Sequence, residues 1–233
     1  MSTRLRLGLL GGTFDPIHYG HLDAADAARH ALQLDEILFI PSHDPPHRPA
    51  DPRASAFQRF ALVALALADH AGYRASDLEL RRDGPSYTAD TLRAMRAQGW
   101  SPSQLFFILG ADAFAEIATW REFPAVLDAA HFVVISRPGA TLEAATTRTP
   151  ELRSRVRRVE TAVEAGATNG PDTFVFLVEA RTRDVSSTTI RARLAAGQSI
   201  DDLVPGAVTR HIVTNRLYGA VGNLHGKDQR VPI

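Results

Sequence analysis

The stretch Gly11 to Leu22, Gly-Gly-Thr-Phe-Asp-Pro-Ile-His-Tyr-Gly-His-Leu, constrains this chain more than any other. Before it, Leu5-Arg6-Leu7-Gly8-Leu9-Leu10 is a short apolar run of the kind that forms a buried strand. After it, Ala24 to Leu34 is rich in Ala and Leu and free of Gly and Pro, which predicts a helix. Glycines at a strand end let the backbone approach a bulky anion, because no Cβ intervenes. The following helix start offers unpaired N–H groups and a positive dipole end, both favourable to phosphate. His18 and His21, three residues apart, share one side of that helix start. The stretch predicts a phosphate cradle, Gly11 to Phe14, carrying two histidines.

Other readings compete at this point. A Gly-Gly turn between strand and helix is common, and two histidines could ligate zinc. Zinc needs a third and fourth ligand, however, and the chain has no Cys and no acidic residue at a recognisable ligand spacing from the pair. The glycine spacing matches neither the dinucleotide fingerprint nor a Walker loop.

A second segment narrows the choice. Val185-Ser186-Ser187-Thr188-Thr189-Ile190-Arg191 follows a strand candidate at Thr173 to Val178 and opens an Ala-rich helix, Ile190 to Ala196. Hydroxyls and N–H groups at a helix start, with Arg191 one turn in, make a second anion site, although Ser187 or Thr188 could be only an N-cap. Gly-x-Phe-Asp-Pro-x-His-x-Gly-His near one end and Ser-Ser-Thr-x-x-Arg near the other resemble the nucleotidyltransferase superfamily with the His-x-Gly-His signature.

Composition agrees with that resemblance. The 233 residues suffice for one α/β domain with a sizeable core, and 45% hydrophobic with 22% charged residues is an ordinary globular balance. A formal net charge of zero makes no case for a nucleic-acid or membrane binder. The absence of Cys excludes a disulfide scaffold and a cysteine nucleophile and suits a reducing cytoplasm. Met1 to Arg6 lacks the long apolar region of a signal peptide, and no apolar run approaches the ~20 residues needed to span a bilayer. The expectation is a cytoplasmic protein whose oligomeric state, a homo-oligomer included, stays open.

Strand and helix patterns alternate along the chain, which predicts an α/β fold with a parallel sheet and crossover helices. Further strands are predicted at Glu36 to Pro41, Tyr73 to Leu80, Gln104 to Leu109 and His131 to Ser136. Further helices are predicted at Ala54 to His70, Thr88 to Gln98 with Ser86 or Thr88 as cap, around Ala113 to Ile117, Phe123 to Ala129, and Val204 to Tyr218. Ser42 to Pro52, with four prolines, must be a loop. Gly110-Ala111-Asp112 closes the clearest strand, where ligands gather in open α/β sheets. Between Ala140 and Pro171 the pattern weakens, which reads as an insertion. Its arginines 153, 155, 157 and 158 read as a solvated helix or insertion in preference to a partner-binding face. Residues 1–220 read as one domain with a small C-terminal helical part, and 221–233 as a loose tail.

Several intermediate motifs appear in order: Pro45-Pro46-His47-Arg48, Ser86-Tyr87-Thr88-Ala89-Asp90-Thr91-Leu92, Gly110-Ala111-Asp112, Thr119-Trp120 and Arg137-Pro138-Gly139. They resemble bacterial nicotinate-nucleotide adenylyltransferases, over roughly Leu7 to Tyr218. After the Trp that family often has Tyr or His, where this chain has Arg121. The resemblance implies a Rossmann-like doubly wound sheet and transfer of AMP from ATP to nicotinate mononucleotide. It places Gly110 and Asp112 at a nucleotide ribose, and Tyr87, Thr88 and Trp120 on the pyridine side. His47 and Arg48 would lie on a loop over the site. Trp120 as a mere core residue, and His47 and Arg48 as merely exposed, are the competing readings.

The chemistry implied asks for positioning and charge stabilisation, since an attacking phosphate is already ionised. His18, His21 and Arg191 would stabilise developing charge, while Gly11, Gly12, Thr13, Phe14, Ser187 and Thr188 would cradle phosphates. Mg²⁺ would be held mainly by phosphate oxygens and water. A sister transferase using nicotinamide mononucleotide or another phosphate acceptor, and a non-catalytic nucleotide-binding regulator, are the alternatives.

Overall fold

In the computed structural model, which describes residues 5–46, 52–136, 152, 154–159 and 170–220, apolar runs and helices alternate around one sheet. The strands in chain order are β1 (Leu7–Gly12), β2 (Glu36–Pro41), β3 (Tyr73–Ala75), β4 (Leu105–Gly110), β5 (His131–Ser136), β6 (Val156–Arg158) and β7 (Val175–Glu179). The helices are α1 (Tyr19–Leu32), α2 (Ala56–Leu67), α3 (Thr88–Ala97), α4 (Ala111–Ala115), α5 (Ser187–Ala195) and α6 (Gly206–Thr214). The sheet order is β3-β2-β1-β4-β5-β7-β6, with every pairing parallel. This is the predicted doubly wound α/β architecture. The chain runs outward from β1 to β3, then restarts at β4 on the other flank. The switch point therefore lies between β1 and β4, and their C-terminal ends frame a crevice.

Alternation along the strands feeds two cores. Leu10, Phe106 and Ile108 face one layer with Leu22, Leu32 and Ile212. Leu9, Phe107 and Leu109 face the other with Leu92, Met95 and Phe114. Burial on both faces explains why the central strands read as unbroken apolar runs. Among the described residues, no helix is long and apolar enough to cross a membrane.

The structure moves several predicted boundaries. α1 begins at Tyr19, well before Ala24, because the His18 N–H donates to His21 Nδ1 (3.2 Å) and the Tyr19 N–H to the Leu203 carbonyl (3.0 Å). Of Tyr73 to Leu80, only Tyr73–Ala75 pairs with β2, and Asp77 to Arg81 turns back on itself. The last helix stops at Thr214, and Arg216 and Tyr218 take positive φ of 50° and 59°. Arg155, Arg157 and Arg158, expected in a solvated helix or insertion, are not helical. Val156–Arg158 is an edge strand on β7, and Arg155 reaches the Asp128 carboxylate (2.6 Å). A charged edge strand gives no apolar alternation to read, yet charge suits an edge that must not pair further. Arg153, most of the 140–171 insertion and the 221–233 tail lie outside the described residues.

One titration follows from the packing. His131 is fully buried at the start of β5, stacked 4.7 Å from Phe106, with Nδ1 accepting from the Phe174 N–H (3.0 Å). Burial, with the Arg6 charge adding, lowers it to about 4, and burial lowers His18 likewise to about 4. The unfolded chain takes up these protons near 6.5, so between about 4 and 6.5 the unfolded state binds more protons. Stability should therefore be full above pH 6.5 and fall as pH drops toward 4, each histidine accounting for on the order of 3 kcal/mol of the loss. Urea midpoints measured across this window check it, and a flat profile would contradict the buried neutral pair.

Candidate active site

The turn leaving β1 is built from the inside. Phe14 takes φ +50° and buries its ring, 5.0 Å edge-on from His21 and 6.0 Å from Phe39. A Cβ on Gly12 would lie 3.1 Å from that ring, so Gly12 makes room for Phe14. Phe14 itself offers only backbone to the crevice, because its side chain is core.

His18 sits at the N-cap of α1, 7% exposed, with its ring stacked 3.7 Å from that of His21. Because His21 Nδ1 accepts from the His18 N–H, the His21 proton sits on Nε2 when the ring is neutral. Burial keeps His18 neutral near pH 7, against the pull of the Asp23 carboxylate. A Cβ on Gly20 would come within 3.1 Å of Val185 and 3.2 Å of His18 Nδ1, so the signature glycine lets the later segment close on the histidines.

The second motif docks directly on the first. The N-cap of α5 is Ser186, whose Oγ accepts from the Thr189 N–H (3.1 Å), rather than Ser187 or Thr188. Ser187 donates its hydroxyl to the Pro16 carbonyl (2.9 Å). Arg191 donates to the Asp15 carbonyl (2.7 Å) and the Thr188 hydroxyl (3.2 Å), and lies 3.8 Å from the Asp15 carboxylate. Arg183 lies 3.9 Å over the Tyr19 ring and pairs with Asp23, closing the same junction from its rim. His18, His21, Thr188 and Arg191 are thus gathered at one end of β1. Gly110 and Asp112 stand exposed at the C-terminal end of the neighbouring β4, Asp112 in the first turn of α4.

The residues expected on the pyridine side form a second group. Tyr87, Thr88, Trp120 and Arg121 line one small cleft with Pro46, Ser86 and Ala89. Tyr87, not Ser86 or Thr88, caps α3. Trp120 is half-buried, perpendicular to Phe107 at 6.0 Å and tilted to Phe132 at 6.4 Å, so it is part core and part wall. Arg121 stacks 4.9 Å over the Tyr87 ring and bonds Asp90 (3.3 Å). The two groups are bridged by the end of β2: the Ser42 N–H donates to the Gly12 carbonyl (2.9 Å), and the His43 N–H to Ser86 Oγ (2.9 Å). His47, Arg48 and the Arg137-Pro138-Gly139 motif lie outside the described residues. Among the described residues no three His, Cys, Asp or Glu cluster as metal ligands.

Sequence reasoning missed Asp15, Arg59 and Tyr218. Asp15 is 2% exposed and receives the Arg53 and Ala54 N–H groups and the Tyr218 hydroxyl. Arg59 is 1% exposed. The only available signals were an Asp inside the signature and an Arg on an otherwise apolar helix.

Residues 9–193 match the Cytidylyltransferase-like family. A protein of Citrifermentans bemidjiense named "Probable nicotinate-nucleotide adenylyltransferase" is 39% identical, covering 92% of this chain and 98% of its own. A protein of the same name from Pseudomonas fluorescens is 41% identical, with the same coverage. The solved structure of Plasmodium falciparum nicotinic acid mononucleotide adenylyltransferase complexed with NaAD aligns with a TM-score of 0.69 at 17% identity, over 93% of this chain and 98% of that one. The last likeness is one of fold, and it matches the doubly wound sheet described above. With the identity and coverage of the curated relatives, the chain belongs to the nicotinate-nucleotide adenylyltransferase family.

Proposed function

We propose that this protein transfers AMP from ATP to nicotinate mononucleotide, giving nicotinate adenine dinucleotide and pyrophosphate. One observation carries the reading: the Ser-Ser-Thr-x-x-Arg motif docks on the His-x-Gly-His turn, and one β2 loop ties that anion site to the Thr88–Trp120 cleft. Residues 1–220 act here as one catalytic domain.

An oxygen of the mononucleotide phosphate attacks the α-phosphorus of ATP, and the bond to the bridging oxygen of pyrophosphate breaks. The attacking oxygen is already an anion, so no general base is needed, and the protein contributes alignment and charge stabilisation. His18 and His21 donate N–H to the phosphates, and bound phosphate favours a second proton on His18 that burial alone disfavours. Arg191 faces the same charge from α5. The Ser187 hydroxyl, committed as a donor to Pro16, contributes as an acceptor and through its backbone. Asp112 accepts from ribose hydroxyls. The indole of Trp120 stacks on the pyridine, and N–H groups at the α3 start meet its carboxylate. Mg²⁺ would enter with ATP as part of the substrate, held mainly by phosphate oxygens and water.

Pyrophosphate release from ATP and Mg²⁺, with nicotinate and nicotinamide mononucleotides assayed side by side, tests this. The expected result is a kcat/KM at least tenfold higher for the acid form, as for a site that pairs a carboxylate. Equal rates would make the enzyme dual in specificity. No turnover with either would overturn the proposal.

A further inference from the structure

Arg59 is a fully buried cation on a helix whose other inward residues, Leu62, Val63, Ala66 and Leu67, are apolar. Its guanidinium spans three carbonyls from separate segments. Nη1 donates to Thr13 (2.7 Å), Nε to Ala54 (3.2 Å) and Nη2 to His43 (3.2 Å). Thr13 belongs to the turn after β1, while His43 and Ala54 flank the Pro-rich loop at its two ends. Asp15 repeats the pattern with opposite polarity. Its carboxylate takes the N–H groups of Arg53 (2.9 Å) and Ala54 (3.1 Å), and the hydroxyl of Tyr218 (2.9 Å). Burial and the adjacent Asp15 carboxylate push the Tyr218 phenol upward, so it remains a donor. Burying charge costs more than burying a well-packed apolar side chain of similar volume. Stability alone therefore does not account for Arg59.

We propose that Arg59 is a positioning residue that holds the β1 turn and both ends of the Pro-rich loop in one register. Asp15 and Tyr218 brace the same junction. The inference rests on the function proposed above, in which phosphates lie at the turn and the end of β2 ties that turn to the Thr88–Trp120 cleft. A loose clip lets the acceptor phosphate drift off the line of attack, and alignment errors of about 1 Å are known to be costly in rate.

The test compares Arg59→Met, Arg59→Lys and Tyr218→Phe with the wild type, with kcat expressed per folded molecule. Arg59→Met should lower kcat about tenfold while KM for ATP stays within about threefold, the signature of misalignment rather than lost binding. Arg59→Lys should recover a substantial part of that loss, because an ammonium can serve some of the three carbonyls. Tyr218→Phe removes one hydroxyl and should lower kcat about threefold with little change in Tm. Amide hydrogen exchange gives a readout independent of turnover: in Arg59→Lys the amides of 12–15 and those of 43, 44 and 54 should speed up together. Wild-type kcat per folded molecule in both Arg59→Met and Tyr218→Phe, or faster exchange in only one of the two segments, would overturn the proposal. Wild-type inactivity on nicotinate mononucleotide would instead sink the function, leaving the exchange result to decide the clip.

Discussion

Replacing His18 by Ala should lower kcat for AMP transfer about 10²-fold or more, with a similar loss for His21→Ala. Both rings sit where the first turn of α1 meets the end of β1, stacked 3.7 Å apart. A donor aimed at charge that develops only in the transition state affects kcat more than KM. The two substitutions should not be additive, because the two rings stack on each other at 3.7 Å and each limits the positions open to the other. Steady-state kinetics on the single and double variants check both points. Unchanged kcat in both single variants would refute the assignment. A fall confined to thermal stability, with normal kcat per folded molecule, would reduce the pair to a helix cap.

The second large effect is expected at Trp120. Truncation to Ala should raise KM for the mononucleotide about 30-fold, from loss of roughly 2 kcal/mol of ring stacking, while sparing ATP. The indole also leans on Phe107 and Phe132, so Tm should drop as well. Kinetics and melting therefore need to be measured on the same preparation. Trp120→Phe keeps an aromatic face and should recover most of the binding. A larger rise in KM for ATP than for the mononucleotide would show that the cleft belongs to the other substrate. Arg121, clasped by Tyr87 and Asp90, lines the same cleft.

Much of the fold was legible because parallel strands covered on both faces leave an unmistakable trace. Leu7–Gly12, Glu36–Pro41, Leu105–Gly110 and His131–Ser136 are apolar almost throughout, and all four pair as central strands. The short edge strands left no such trace. β3 is mostly hidden within a longer polar stretch, and β6 carries two arginines, because an edge strand buries little and must resist further pairing. Helix ends were shifted wherever a tertiary contact, such as Tyr19 on Leu203, outweighed local propensity.

The candidate site divides along the same line. Sequence by itself determined the doubly wound class, and it singled out two candidate anion motifs and the candidates His18, His21, Thr88, Trp120, Thr188 and Arg191. His18, His21, Thr188 and Arg191 lie at helix starts whose local geometry has meaning, whereas Thr88 and Trp120 were implied by the family resemblance. Only the tertiary structure decided that Ser186 rather than Ser187 caps α5, that Phe14 is a core ring under the histidines, and that Arg191 is braced by Asp15. The same is true of Arg59 and Tyr218, whose partners lie 46 and 203 residues away along the chain. A buried charge is defined by which distant carbonyls and carboxylates surround it, and no local pattern of residues records that.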